Sequence, residues 1–425
     1  MSTADRTGEP ASRASRASAI SAEVAERLAY PPRVINHMMR RDLAHVVLPG
    51  CVLLAAQHSV DGASDSCSAV RANLQAAFER LPARPDNLFQ GTTGTIGAVL
   101  AMRRFDFSDS LVQPIIESGC NWLRHQARKA VNSYPFPKLQ RSQAAPPESY
   151  EAISGFSGIG RLLLLAAEQG QSSADAELRS ILELLTELFT PASGESGISS
   201  SLWGESQLPV GTAPRVLATG VAHGLAGPLA FLSLSLIAGR YVDDQPEAVR
   251  SLGTYLAALR SVTAHSWPTA AAVRDAVDLP GYIPNHGWCS GSAGIANAIH
   301  LAGLALGDSS LIREGIEGLS LLDDIPVEEW GVMGSALCCG YSGVLQAATN
   351  AVCRADDPRL NSLVEKAAQA VLNSWDEDSP FGFPRYVDGK RMDTADLLYG
   401  ASGIALALHD YAHGASSWSS LLLLR

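Results

Sequence analysis

Six copies of one pattern, Gly-x-x-Gly followed by an apolar helical run, decide what this 425-residue chain can fold into. The glycine pairs are Gly91 and Gly94, Gly155 and Gly158, Gly224 and Gly227, Gly291 and Gly294, Gly340 and Gly343, and Gly400 and Gly403. Their first members lie 64, 69, 67, 49 and 60 residues apart, room for two helices and two loops in each span. The runs at 159–169, 228–239, 295–306 and 404–413 are apolar nearly all round, as in helices packed on both sides. Those at 176–189 and 359–375 are amphipathic. Inner and outer helices therefore alternate, and copies without terminal caps predict a closed ring rather than an open solenoid. A helical stretch at 43–57, expected to kink or break at Pro49 and Gly50, starts a seventh hairpin. Almost no segment alternates as a half-buried strand does, so the chain reads as all-α, with six to seven helical hairpins in one domain over residues 21–425. Residues 1–20, small, polar and aperiodic, read as a disordered tail. Each glycine pair is expected to let the backbone turn sharply, to admit a neighbouring inner helix, and to aim free N–H groups at the ring centre.

A formal net charge of −11 argues against a nucleic-acid surface. The apolar runs are too short and too interrupted to span a bilayer. The seven cysteines are odd in number and no apolar signal segment opens the chain, which predicts a cytoplasmic protein with reduced thiols. Three loops interrupt the repeats, at 133–149, 190–215 (with Trp203) and 376–396, and read either as functional segments or as solvated connectors.

Two repeats carry cysteine at the motif: Cys289 in Trp288-Cys289-Ser290-Gly291, and Cys338 with Cys339 in Leu337-Cys338-Cys339-Gly340. If the motif marks one structural position, the three gather at one end of the ring. Three thiolates suit tetrahedral zinc and leave its fourth position for substrate. Small buried thiols are the competing reading, and it is the one expected for Cys51, Cys67, Cys120 and Cys353, which lie away from the motifs. His223 stands in the register of Ser290 and Cys339, where it could move a proton or simply pack. Glu151, four residues before Gly155, reads as an exposed carboxylate unless it reaches the mouth. His286, three residues before Cys289, reads as a solvated loop histidine, a metal ligand or an acid/base group.

The hairpin series, with His223-Gly224, Trp288-Cys289-x-Gly291 and Cys338-Cys339-Gly340 in this order, resembles the lanthionine synthetase C-like family over roughly residues 40–415. With no kinase-like or dehydratase region attached, it is similar to a stand-alone cyclase of a class I lanthipeptide (lantibiotic) pathway. The resemblance implies a double-layered α/α toroid with one zinc at its mouth. It implies that a cysteine of a dehydrated precursor peptide, with leader and core, adds to dehydroalanine or dehydrobutyrine to give a thioether, lanthionine or methyllanthionine. By motif, Cys289 and Cys338 match zinc ligands, Cys339 stands where the family usually has His, and His223 matches the acid/base histidine. Glu151 falls where the family commonly has Asp. Asn285 and Ser290 occupy positions where the family often has Arg and Tyr. Three thiolates leave zinc a formal charge of −1, or −2 with a substrate thiolate, so the bound sulfur should stay nucleophilic and both addition and retro-addition should be easier. A dehydratase, within a membrane-associated synthetase complex, is a further implied partner, though the chain has no membrane segment. Two other readings remain: a non-catalytic toroid that binds thiol peptides or glutathione or acts as a scaffold, and a zinc prenyltransferase-like enzyme. The second fits poorly, because aromatics are only 6% and Cys-Cys-Gly does not match its Asp, Cys and His ligands.

Overall fold

A computed structural model describes residues 10–39, 44–60, 66–79, 86–103, 112–134, 145–191, 216–260, 266–272 and 285–425. Within them the helices, numbered in chain order, are α1 (Pro10–Leu28), α2 (Pro31–Met39), α3 (Ala44–Val60), α4 (Ser66–Phe78), α5 (Gly91–Arg103), α6 (Val112–Ser133), α7 (Pro147–Tyr150) and α8 (Phe156–Glu168). They continue as α9 (Asp175–Phe189), α10 (Ala226–Ile237), α11 (Gln245–Arg260), α12 (Ser292–Leu306), α13 (Ser309–Ser320), α14 (Tyr341–Val352), α15 (Pro358–Leu372) and α16 (Ala401–His413). Helices α3, α5, α8, α10, α12, α14 and α16 each pack on the next, and α16 packs back on α3. The ring is closed, with seven inner helices. Outer helices α4, α6, α9, α11, α13, α15 and α1 lie against them, which makes the α/α toroid.

Sequence explains the two layers. Every residue from Ser292 to Gly303 in α12 is buried, and so is every residue from Ala226 to Ser235 in α10. Outer helices bury only a stripe, as Leu360, Leu363, Ala367, Ala368 and Val371 do in α15. Two outer helices have side-chain caps: in α13 Asp308 accepts from the Ser310 and Leu311 N–H groups, and in α15 Asp357 accepts from Arg359 N–H, with Pro358 pre-set at the first turn. Inner helices α8, α12, α14 and α16 instead have extended glycine at the N-cap and no capping side chain.

The second glycine of the pair has a steric task. A Cβ on Gly158, Gly294 or Gly403 would stand 2.1, 2.0 or 1.8 Å from the carbonyl oxygen of Ala152, Trp288 or Leu397, six residues earlier in each case. The pair thus folds the preceding loop onto its own helix, more than it admits a neighbouring helix. Gly403→Ala should destabilise the protein by about 3 kcal/mol or more, since the clash is with backbone and cannot relax by a rotamer change. Chemical denaturation checks this, and an unchanged midpoint would refute it.

Three expectations change. The predicted tail at 1–20 is helical from Pro10. Ala17, Ile20, Val24 and Leu28 are buried in a stripe, α1 packs on α16, and Arg13 pairs with Glu365. The stripe is spaced for a helix, but its small, sparse apolar residues are masked by Ser and Arg. Helix α3 runs unbroken through Pro49. Gly50 serves a close approach there, since its Cβ would stand 2.1 Å from Ser402 Oγ and 3.0 Å from Leu397 N. Of the four cysteines expected to be buried, Cys51 and Cys120 are buried, but Cys67 and Cys353 are exposed.

The strands are short antiparallel pairs, β1 (Val216–Ala218) with β2 (Ala270–Ala272) and β3 (Arg385–Val387) with β4 (Lys390–Met392). The β3–β4 hairpin lies within the third expected loop. Residues 135–144 and 192–215 of the first two loops, including Trp203, lie outside the described residues. Below the mouth, residues 418–424 are buried in the ring, with a 3-10 turn over Ser417–Leu422. Their carbonyls are satisfied from the inner helices: Arg161 donates to Ser420 O and Arg425 O, Asn297 to Leu423 O, and Arg354 to Leu424 O. Among the described residues no helix is long and apolar enough to cross a membrane.

Candidate active site

Backbone hydrogen bonds lace successive motif loops together around the mouth. Ala152 N–H donates to Ala222 O (3.1 Å), Ala222 N–H to Cys289 O (2.8 Å), Cys289 N–H to Cys338 O (3.0 Å) and Cys338 N–H to Leu398 O (2.8 Å). Ala222, Cys289, Cys338 and Leu398 each stand two residues before the first glycine of their motif. The register inferred from the repeats is therefore physical, and it seats Cys289 beside Cys338 although they lie 49 residues apart in sequence.

The three thiols bond to one another. Hydrogen bonds from Cys338 and Cys339 pull the Cys289 thiol down to about 3. The bond to Cys289 is the main cause that pushes Cys339 up to about 11, and Cys338 is driven up by its bonds to both neighbours and by burial. Of the three, Cys289 is the thiol whose anion its neighbours favour most. Cys289 Sγ also lies 3.5 Å from Ser290 Oγ, and Cys338 Sγ donates to the Tyr399 hydroxyl at 3.6 Å. From below, buried Trp288 donates its indole N–H to Leu422 O (2.9 Å), which holds the loop that bears Cys289. The N-terminus of α14 begins just after Cys339, and that of α12 just after Ser290, so both helix dipoles favour anionic sulfur.

Thiolate donors three at a time are what zinc takes most readily. As the side chains stand, no three His, Cys, Asp or Glu groups among the described residues form a finished metal-holding set. The chemistry of the donors fits zinc, since three thiolates side by side repel one another and a bound cation relieves that repulsion.

Glu151 is buried, contrary to the exposed carboxylate expected, because the loop before Gly155 folds over it. One oxygen accepts from the Ser154 and Gly155 N–H groups, the latter at 2.8 Å, and the other pairs with His223 Nδ1. His223 itself is 70% exposed at the mouth. A carboxylate on Nδ1 fixes the ring and turns Nε2 outward.

His286 is not a solvated histidine. It is 1% exposed, its Nδ1 lies 3.0 Å from Ser292 Oγ, and it does not line the cleft. Burial lowers it to about 4, and burial with the nearby Arg354 charge does the same to His300. Both folded values lie below the ordinary 6.5, so the unfolded chain takes up these protons first. Stability should be complete above pH ~6.5 and fall toward pH ~4, by ~3 kcal/mol for each histidine. Denaturation midpoints at pH 7.5 and 5 test this; a flat profile would contradict it. Asn285 shapes the same loop, donating to Ser290 Oγ (3.0 Å) and accepting from Gly287 N–H (2.9 Å).

A cleft of about 230 Å³ opens on this constellation, lined by His223, Cys289, Ser290, Cys338, Leu398 and Tyr399 among others. Cys339, 7% exposed, does not line it. A second cleft of about 310 Å³ shares Asn87 and Ile153 with the first and continues toward α6 and α8. Tyr399 was legible, since it occupies the register of His223, Ser290 and Cys339 in the sixth repeat. Arg385, whose guanidinium lies 4.9 Å from the centre of the Tyr399 ring, comes from the loop and carries no such signal.

The family model described as lanthionine synthetase C-like protein matches residues 38–423. Among solved structures, nisin cyclase superposes with a TM-score of 0.71 at 20% identity, over 96% of each chain, a likeness of fold. The GH76A alpha-1,6-mannanase from Salegentibacter sp. HEL1_6 reaches only 0.49 at 10% identity, over 86% of this chain and 98% of that one. No curated protein matches the sequence.

Proposed function

The chain belongs to the lanthionine synthetase C-like family, and from that premise we propose that it is a zinc-dependent lanthipeptide cyclase, adding peptide Cys thiols to dehydroalanine or dehydrobutyrine. The observation that carries this reading is the backbone lacing that brings the Cys289, Cys338 and Cys339 thiols to the mouth where His223 and Glu151 stand. Cys289, Cys338 and Cys339 would hold the zinc. Bound there, zinc supplies Lewis acidity that lowers the pKa of a peptide thiol.

The other parts are the chain's own. His223 Nε2 takes the thiol proton, since Glu151 occupies Nδ1. Sulfur then bonds to the β-carbon, the π electrons move toward the carbonyl, and His223 returns the proton to the α-carbon. Nothing leaves, so product and substrate are isomers. Leu398, Ile153 and Ala222 give the cleft apolar wall that limits water, and the cleft's shape brings one thiol to one alkene. The peptide's leader and the rest of its core have the adjoining cleft available. A dehydratase would supply the substrate.

The test is incubation of a dehydrated peptide bearing one cysteine with zinc-loaded protein, followed by N-ethylmaleimide and mass spectrometry. A cyclised peptide keeps its mass and takes no adduct. A peptide that stays fully alkylatable while bound would favour the non-catalytic thiol-binding reading instead.

A further inference from the structure

The proposed addition moves the charge of the attacking sulfur onto the substrate. As sulfur bonds to the β-carbon, charge moves onto the substrate carbonyl oxygen. A preorganised positive donor at that oxygen is the usual largest electrostatic aid to such a step. Yet among the described residues that line the two clefts there is no Lys or Arg. Asn285, where a cation would sit on the Cys289 loop, is engaged with Ser290 and Gly287.

One guanidinium stands next to the cleft wall, against Tyr399. Arg385 opens β3, on a hairpin whose next residues, Tyr386 and Val387, are exposed. Its guanidinium stacks on Tyr399, which lines the cleft and bonds to Cys338. Its charge acts on buried Asp396, which stands three residues before Tyr399. The Arg385 Nε–H is buried and has no hydrogen-bond partner, so no side-on carboxylate fork engages the group. Stacking and charge hold it beside the thiols.

We propose that Arg385 is a catalytic residue of the cyclase, binding the carbonyl oxygen of the dehydro residue and holding the enolate charge while the carbon–sulfur bond forms. The proposal rests on the cyclase reading above. The electron pair of the thiolate makes the S–Cβ bond, the Cα=Cβ pair becomes a double bond from Cα to the carbonyl carbon, the carbonyl π pair moves to the oxygen beside Arg385, and the proton held by His223 then goes to Cα and converts the enolate to the saturated residue. No oxidant, reductant or leaving group is needed.

Wild type, Arg385→Gln and Arg385→Lys are compared on a peptide with one cysteine and one dehydroalanine, with zinc content measured for each. Binding of the same peptide with Ala in place of dehydroalanine is also measured. Arg385→Gln should lose about 100-fold in kcat with KM within about threefold, because the contact matters most in the transition state. Zinc content and affinity for the Ala peptide should stay at wild-type values, and Arg385→Lys should recover a substantial part of kcat. A wild type that cyclises while Arg385→Gln keeps its kcat, or loses only KM or zinc, overturns the role of Arg385 and leaves the cyclase reading intact. A zinc-loaded wild type that never cyclises the peptide overturns both.

Discussion

Cys289→Ala should leave a folded protein that binds no zinc and has lost at least ~10³-fold of its cyclase activity. Cys289 is the thiol of the three whose anion its neighbours favour most, and of the three it carries the half-exposed side chain that lines the cleft with Cys338. Its structural contribution is made by its backbone. The N–H to Cys338 O and the carbonyl that accepts from Ala222 survive truncation to alanine. The side chain is half-buried, so the cavity left is small and the ring should stay closed. Metal analysis and circular dichroism together separate loss of zinc from loss of fold. Cys339→His should keep zinc, because a ligand-bearing side chain remains beside Cys338. A Cys289→Ala protein that retains a full equivalent of zinc would remove Cys289 from the ligand set.

His223→Ala is expected to keep its zinc and its stability and to lose ~10²–10⁴-fold in the rate of ring closure, the span ordinarily lost with a positioned acid/base group. The side chain is 70% exposed, so little packing goes with it. Glu151, by contrast, is anchored from the other side by the Ser154 and Gly155 N–H groups and stays in place when the imidazole is removed. Single-turnover alkylation assays give the rate without interference from product release. Wild-type rates in His223→Ala would mean that the proton travels by another route.

The architecture could be read from the chain because its glycines are not interchangeable with anything larger. A Cβ at Gly158, Gly294 or Gly403 collides with the carbonyl six residues back, and the motif recurs at the start of every inner helix but α3. The Cys and His positions followed from the same register. Features made by tertiary contact alone stayed hidden. Helix α1 is ordered by α16, on a stripe too sparse to stand out against Ser and Arg. The buried turn at 417–424 depends on buried Arg161 and half-buried Arg354, two charged residues whose place no periodicity announces. Glu151 looked exposed because its backbone donors lie in its own loop, and their aim is set only by the fold of that loop. Arg385 belongs to a hairpin with no counterpart among the described residues of the other repeats, so no register could bring it to Tyr399.

The central claim is that Cys289, Cys338 and Cys339 together present zinc to a peptide thiol. Zinc-edge X-ray absorption on the loaded protein, without and then with a cysteine-containing peptide, tests it most directly. The account predicts three sulfur scatterers at ~2.3 Å plus one lighter ligand, becoming four sulfurs when the peptide binds. Fewer than three sulfurs in the free protein, or a spectrum that the peptide leaves unchanged, would contradict it.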